Sequence, residues 1–171
     1  RSLLTLGFDA MDAAAMLNEL YVLRGDGCFS TIDLLEVDLC TGEGALYKWG
    51  AAPSYLKKGG TVKKIGTASP PPGLGVGEEH RAERVGLSLQ RGEQLVLTTD
   101  GIPEAPCEQY LRASGPLSPR ELAAGVVACA SESEPDDRTA VIVQLDPASM
   151  QPHHTTRRAR SVSKSGAEPH I

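Results

Sequence analysis

Aromatic side chains are scarce: one Trp, two Phe and four Tyr stand among 171 residues. Aliphatic packing must therefore carry any core. No apolar run approaches the ~20 residues that a membrane-spanning helix needs, and no signal-peptide pattern precedes the first strand-like segment. Cys28, Cys40, Cys107 and Cys129 form no Cys-x-x-Cys pair, which excludes the common zinc spacings and points to reduced thiols in a cytoplasmic setting. Histidine is almost confined to the last residues, as His153, His154 and His170, and His80 reads as a surface residue at a strand start. Basic residues are thin outside the C-terminal end. Arg157, Arg158, Arg160 and Lys164 lie there against Glu168 alone, so the net charge of −5 understates the acidity of the body. An acidic body argues against nucleic acid as the main partner, and nothing in this segment calls for membrane contact. An initiator Met is missing too. The chain opens at Arg1 inside a helix-like stretch, so we expect a piece of a longer protein, with a regulatory domain or membrane anchor upstream left open.

What is present suffices for one domain, burying roughly 70% of the unfolded surface. Residues 1–146 read as that domain. Residues 147–171 lack periodicity and read as a disordered, basic, Ser/Arg-rich tail. Ser2 to Leu6 reads as the end of a helix closed by Gly7. Asp9 is a good N-cap for a second helix to about Leu23, with Asp12 at the capping-box position and an apolar side of Met16, Leu17, Leu20 and Leu23. Phe29 to Leu39 is apolar on both faces, the pattern of a central strand. A turn at Thr41-Gly42-Glu43 leads to a return strand from Ala45 to Trp49. Tyr55–Lys58 and Thr61–Ile65 form a hairpin about Gly59-Gly60. Ser69 to Gly75 is a Pro/Gly loop. Strand resumes from Arg81 to Leu89, turns at Arg91-Gly92-Glu93 and returns from Gln94 to Thr99. A loop is expected from Gly101 to Leu117. Ser118-Pro119-Arg120-Glu121 then starts a helix, to about Ala130, with Ser as N-cap and Glu closing a capping box. The final strand runs from Thr139 to Leu145. Hairpins cannot join parallel neighbours, so the pattern predicts an α/β (α+β type) fold with two antiparallel sheets sandwiched between helices.

Two acidic corners carry the chemistry. Leu95-Val96-Leu97 leads into Thr98-Thr99-Asp100-Gly101, and Asp136-Asp137-Arg138-Thr139 leads into Ala140-Val141-Ile142-Val143. A carboxylate at a strand end is held at the rim of a core while open to solvent. Two of them brought together by a sheet suit a hard cation, which prefers oxygen ligands. Each motif alone is weak, because Asp-Gly is a favoured turn dipeptide and paired acids in a loop are commonly solvated. Gly73-Leu74-Gly75-Val76-Gly77 opens no helix and lacks a following Lys-Ser/Thr, so it is not a nucleotide-binding loop.

The order of the motifs says more than any one of them. Phe29-Ser30-Thr31-Ile32-Asp33, Asp38-Leu39-Cys40-Thr41-Gly42, Gly50-Ala51-Ala52-Pro53-Ser54, Gly73-Leu74-Gly75, Thr99-Asp100-Gly101-Ile102-Pro103-Glu104-Ala105 and Asp136-Asp137-Arg138-Thr139 follow one another. Together they resemble the stage II sporulation protein E phosphatase domain, one of the metal-dependent (PPM-class) serine/threonine phosphatases. The resemblance covers about residues 1–146 and implies two sheets flanked by helices. It implies hydrolysis of a phosphoserine by water activated between two Mn²⁺ or Mg²⁺ ions, without a phosphoenzyme. It implies that Asp100 and Asp136 ligate one ion, with Asp137 as the alternative if the register shifts by one, and that Gly101 allows a tight turn beside it. The partner it implies is a phosphoserine regulatory protein, in the sporulation family an anti-sigma factor antagonist.

The chain departs from the family pattern at its start. The Asp-Gly pair whose aspartate bridges both ions belongs before the first helix, which leaves the expected fold N-terminally incomplete and supports one ion at most. Asp9 and Asp12 read as capping residues, and Asp26-Gly27 lies in the wrong place. Arg138 stands where the family often has an apolar residue and is expected at the surface. The competing expectation is a truncated or non-catalytic phosphatase-like interaction module that lacks the bridging aspartate.

Overall fold

The structure is a computed structural model that describes residues 2–66, 69–75, 77, 81–131 and 136–146. His80 and the expected tail, residues 147–171, lie outside the described residues. The elements are α1 (Ser2–Thr5), α2 (Ala10–Arg24), β1 (Ile32–Val37), β2 (Glu43–Trp49), β3 (Ser54–Lys58), β4 (Thr61–Ile65), β5 (Glu83–Ser88), β6 (Gln94–Thr98), α3 (Glu104–Ala113), α4 (Pro119–Val127) and β7 (Ala140–Val143). They build an α/β fold of two antiparallel sheets flanked by helices. One sheet has the order β1-β2-β5 and the other β4-β3-β6-β7.

Period-two alternation explains the layers. On β2, Leu46 points between the sheets and joins Leu35, Leu89, Leu95 and Leu145 in an aliphatic core. Its neighbours Ala45, Tyr47 and Trp49 point the other way, against Ala10 and Ala14 of α2. On β3, Tyr55 faces Leu111, Leu122 and Val126 of α3 and α4, while Leu56 joins the core between the sheets. The buried aromatics Tyr47, Trp49 and Tyr55 therefore sit on the helix-facing sides, and the space between the sheets is filled by aliphatic groups.

Several boundaries follow from local chemistry. The Asp9 carboxylate accepts from the Asp12 N–H at 2.8 Å, and Gly25, with φ of 64°, ends α2 in the left-handed region. Ser118 and Glu121 complete a reciprocal capping box at the start of α4, with Pro119 in its first turn. The Pro/Gly loop is ordered. Asn18 of α2 accepts from the Gly73 N–H and donates to the Gly75 carbonyl, both at 2.8 Å.

Four sequence expectations change. First, among the described residues β1 is an edge strand, paired with β2 alone. Its two-sided apolar pattern comes from lying between a helix layer and a second sheet, with Ile32 and Leu34 towards α2 and Leu35 and Val37 towards β6 and β7. Second, the tight turn after β5 joins no hairpin. β5 pairs with β2, whereas β6 pairs with β3 and β7, so the chain crosses between sheets at the buried Leu89. Third, α2 packs through Ala10, Ala13, Ala14 and Asn18. Met16, Leu17, Leu20 and Leu23 are exposed, and Ala10 and Ala14 carry the packing on Tyr47 and Trp49. Fourth, the expected loop after Gly101 contains α3. Pro106 sits in its first turn, where the backbone N–H has no helical partner to lose.

Lys57 explains how α3 is held. It is 2% exposed, and its ammonium donates to the Gly59, Leu111 and Ser114 carbonyls at 2.5, 2.9 and 2.7 Å. The last carbonyls of α3 thus find a buried donor. Burial lowers the Lys57 pKa.

Candidate metal site

The two acidic corners meet where β6 and β7 leave their ladder. Pairing ends at Thr98↔Ala140, and the next bonds run through Thr99. Its N–H donates to the Thr139 carbonyl at 3.1 Å. Its hydroxyl accepts from the Thr139 N–H at 2.9 Å and donates to the Asp137 carbonyl at 3.1 Å. One threonine therefore clamps both backbones at the point where their aspartates begin.

Gly101 closes the corner. It is buried, and a Cβ there would lie 2.4 Å from the Asp137 carbonyl oxygen and 3.4 Å from Asp136 Cβ. The requirement is spatial, because the Asp100 turn lies directly on the Asp136-Asp137 backbone. Asp136 Oδ1 accepts from the Asp137 N–H at 2.8 Å. Asp100, Asp136 and Asp137 are all exposed, so the expected ligands share one corner with access to solvent. Arg138 is half-buried rather than exposed; its guanidinium donates to the Ser131 carbonyl and ties the corner to the end of the α4 segment.

Asp100 also borders a cleft of about 350 Å³ between the two sheets. The walls are Thr31, Asp33 and Leu35 of the β1 segment, Gly50 to Ala52, Leu97 to Thr99, and Thr139, Val141 and Val143 of the β7 segment. Asp33 is a lining carboxylate that the sequence reading quoted within a motif without assigning it a role. Its Oδ1 accepts from Lys48 Nζ at 2.6 Å. Burial raises the Asp33 pKa, and Lys48 opposes the rise. Asp33↔Lys48 is a cross-strand pair of β1 and β2, so an Asp and a Lys on adjacent apolar strands were the signal available.

Asp26 takes no part in this corner. Its carboxylate meets Arg24 at 2.7 Å and accepts from the Cys28 N–H, the work of a turn residue. The Cys28 bond, with Arg24 assisting, lowers its pKa. Asp9 caps α2, as expected. Among the described residues no group of three or more His, Cys, Asp or Glu side chains stands ready to hold one metal ion. The donors at the corner are all carboxylate oxygens, which fit Mg²⁺ or Mn²⁺ in kind and supply part of a coordination sphere.

A helix–sheet–sheet–helix sandwich with aspartates at one end of the intersheet cleft has the architecture of the PPM-type phosphatases. The sequence profile of the stage II sporulation protein E (SpoIIE) family matches residues 1–146. The chain belongs to that family. It is 29% identical over 158 residues to stage II sporulation protein E of Bacillus subtilis (strain 168), covering 84% of this chain and 19% of the relative. It spans about a fifth of the length of the curated relatives it matches, 19% and 18%. A solved structure of the PP2C phosphatase domain with a fragment of the regulatory domain of the B. subtilis cell fate determinant SpoIIE superposes with a TM-score of 0.70 at 28% identity, over 84% of this chain and 46% of that one. The Mn-presoaked phosphatase domain of the same protein gives 0.59 at 29% identity, over 85% and 69%.

Proposed function

We propose that this chain is part of a Mn²⁺- or Mg²⁺-dependent protein serine phosphatase that acts on a phosphorylated regulatory protein of the anti-sigma factor antagonist type. Membership of the SpoIIE family supports phosphatase function in general. The observation that carries the finer reading is the seat of Gly101 on the Asp136-Asp137 backbone, which brings the Asp100 and Asp136 segments together.

In this reading Asp100 and Asp136 hold the ion, and Asp137 replaces Asp136 if the register shifts by one. When bound, the ion supplies positive charge that activates water and offsets charge developing on the phosphoryl oxygens. The chain supplies the positioning. Thr99 fixes the two acidic backbones relative to each other, Gly101 admits their close approach, and the threonine-rich walls of the cleft leave an opening beside Asp100 for a phosphoserine side chain. Carboxylates alone would repel a phosphate, and an ion held by them would offset that repulsion. Free thiols at Cys28, Cys40, Cys107 and Cys129 suit a reducing cytoplasmic setting, and no described helix is long and apolar enough to cross a membrane.

The test is Mn²⁺-dependent release of phosphate from a phosphoserine protein by the chain, beside Asp100→Asn and Asp136→Asn. Activity lost in both variants supports the reading. Full activity in Asp100→Asn overturns it. A folded wild type without activity favours the non-catalytic module instead.

A further inference from the structure

The carboxylate corner leaves one group of the cleft unexplained, the pair of Asp33 with Lys48. The Lys48 side chain is 1% exposed. Its ammonium donates to Asp33 Oδ1 at 2.6 Å and to Ser54 Oγ at 2.9 Å. These residues lie on β2, β1 and β3, so the link joins the two sheets across the end of the sandwich that the cleft opens into. The stem of Lys48 runs over Gly66, where a Cβ would meet Lys48 Cδ at 2.3 Å. Room has been kept for it.

Stability alone is a poor reason for such a pair. Two charges taken out of water lose hydration, and well-packed apolar residues commonly serve as well. Asp33, at 15% side-chain exposure, is the partner that reaches the cleft. Among the described residues Lys48 is the one group bonded to its carboxylate, through Oδ1.

We infer that Asp33 is a positioning residue of the metal-dependent site: Lys48 locks one carboxylate oxygen, and the other accepts hydrogen bonds from water around the ion held by Asp100 and Asp136. This rests on the phosphatase reading above. Mg²⁺ characteristically keeps several waters when bound by few carboxylates, and those waters need fixed acceptors. Lys48 does not line the cleft, so it is no phosphate-binding cation. Its charge offsets that of Asp33 from behind, which lets a carboxylate face the cleft without repelling a phosphorylated side chain. The burial that raises the Asp33 pKa agrees with a carboxylate set back from bulk solvent.

Mn²⁺ titration of the chain by calorimetry, without substrate, separates the two layers of the argument. The variants are Asp100→Asn, the double substitution Asp33→Leu with Lys48→Met, and Asp33→Glu. The double variant removes opposite charges together, so the net field at the corner is retained and only the acceptor is lost. We expect wild-type binding to vanish in Asp100→Asn and to weaken about 10–100-fold in the double variant, at a melting temperature near that of wild type. Asp33→Glu keeps the ion pair but displaces the carboxylate by a methylene, and it should weaken binding should the double variant fail to fold. Wild-type affinity in either folded Asp33 variant overturns this inference and leaves the phosphatase reading standing. Mn²⁺ binding that ignores Asp100→Asn, or no binding by wild type, overturns both.

Discussion

On the four-stranded sheet, α3 and α4 press Leu111, Leu122 and Val126 to 0% exposure against Tyr55 and Val96. On the three-stranded sheet, α2 offers Ala10, Ala13 and Ala14 and leaves Leu20 at 57% and Leu23 at 81% exposure. In the first layer the helices bring the bulk and the sheet receives it. In the second the sheet brings the bulk, as Tyr47 and Trp49, and the helix supplies the smallest side chains it can. A count of leucines, three in α2 against two in α3 and α4, would thus mislead, because position against the sheet decides what each one contributes. The carboxylate corner rides on β6 and β7 of the closely covered sheet, while Asp33 and Lys48 belong to the other. The proposed site therefore draws on two layers of unequal packing.

The comparison is broken most easily at the helices. Leu111→Ala should cost about 2–5 kcal/mol in urea unfolding, the range for a buried leucine that leaves a cavity. Leu23→Ala should change stability by about 0.5 kcal/mol or less; a loss matching that of Leu111→Ala would mean that the two layers are packed alike. Lys57→Met sharpens the account of α3. It strands the Leu111 and Ser114 carbonyls, and we expect a loss of about 1–3 kcal/mol, read in the same unfolding experiment. Gly101→Ala places a methyl against the Asp137 carbonyl and should cost about 1–3 kcal/mol. Its Mn²⁺ affinity should fall further than its stability, since the strain separates the two acidic backbones; intact affinity would remove the corner from the site.

The smallest effects lie in pH dependence, and the two layers should differ in sign. Hydrogen bonds from the Ser118 side chain and backbone lower the Glu121 pKa at the start of α4. Its contribution is present in full above the ordinary glutamate pKa and is lost as pH falls through the lowered one. Amide exchange in the first turn of α4 should quicken over that interval, and Glu121→Gln should flatten the response. Asp33 behaves oppositely. Its pKa is raised, mainly by burial, so its contribution is complete below the ordinary aspartate pKa and is lost as pH rises through the raised one. Unfolding measured across this acidic range in wild type and Asp33→Asn checks the slope.

Sequence logic was strongest where local chemistry decides the outcome. Asp9, Gly59-Gly60 and the Ser118–Glu121 box each settle a boundary through bonds within a few residues, and each stands where the sequence places it. It was weakest where a distant layer decides. The apolar faces of β1 are explained by α2 and by β6 and β7, none of which is adjacent in sequence, so an edge strand resembled a central one. The turn at Arg91-Gly92-Glu93 resembled a hairpin because turn residues reveal a reversal but not the partner that each strand then finds. α3 was hidden by Pro106, whose tolerance depends on a first-turn position that a continuous reading of the loop did not supply. At the site, the meeting of the Asp100 and Asp136 segments was anticipated from motif order. Thr99 and Asp33 were not, since their significance lies in bonds to residues 38 positions and 15 positions away.

The crossing at Leu89 bears on how the chain must assemble. Strands β1, β2 and β5 make one sheet and β3, β4, β6 and β7 the other, so the chain visits the first sheet, leaves for the second, returns and leaves again. Neither sheet is encoded by a continuous stretch. A backbone cut between β4 and β5 would yield two pieces, each holding strands of both sheets and neither holding a whole one. Such pieces have every reason to find each other in solution, and little reason to persist apart.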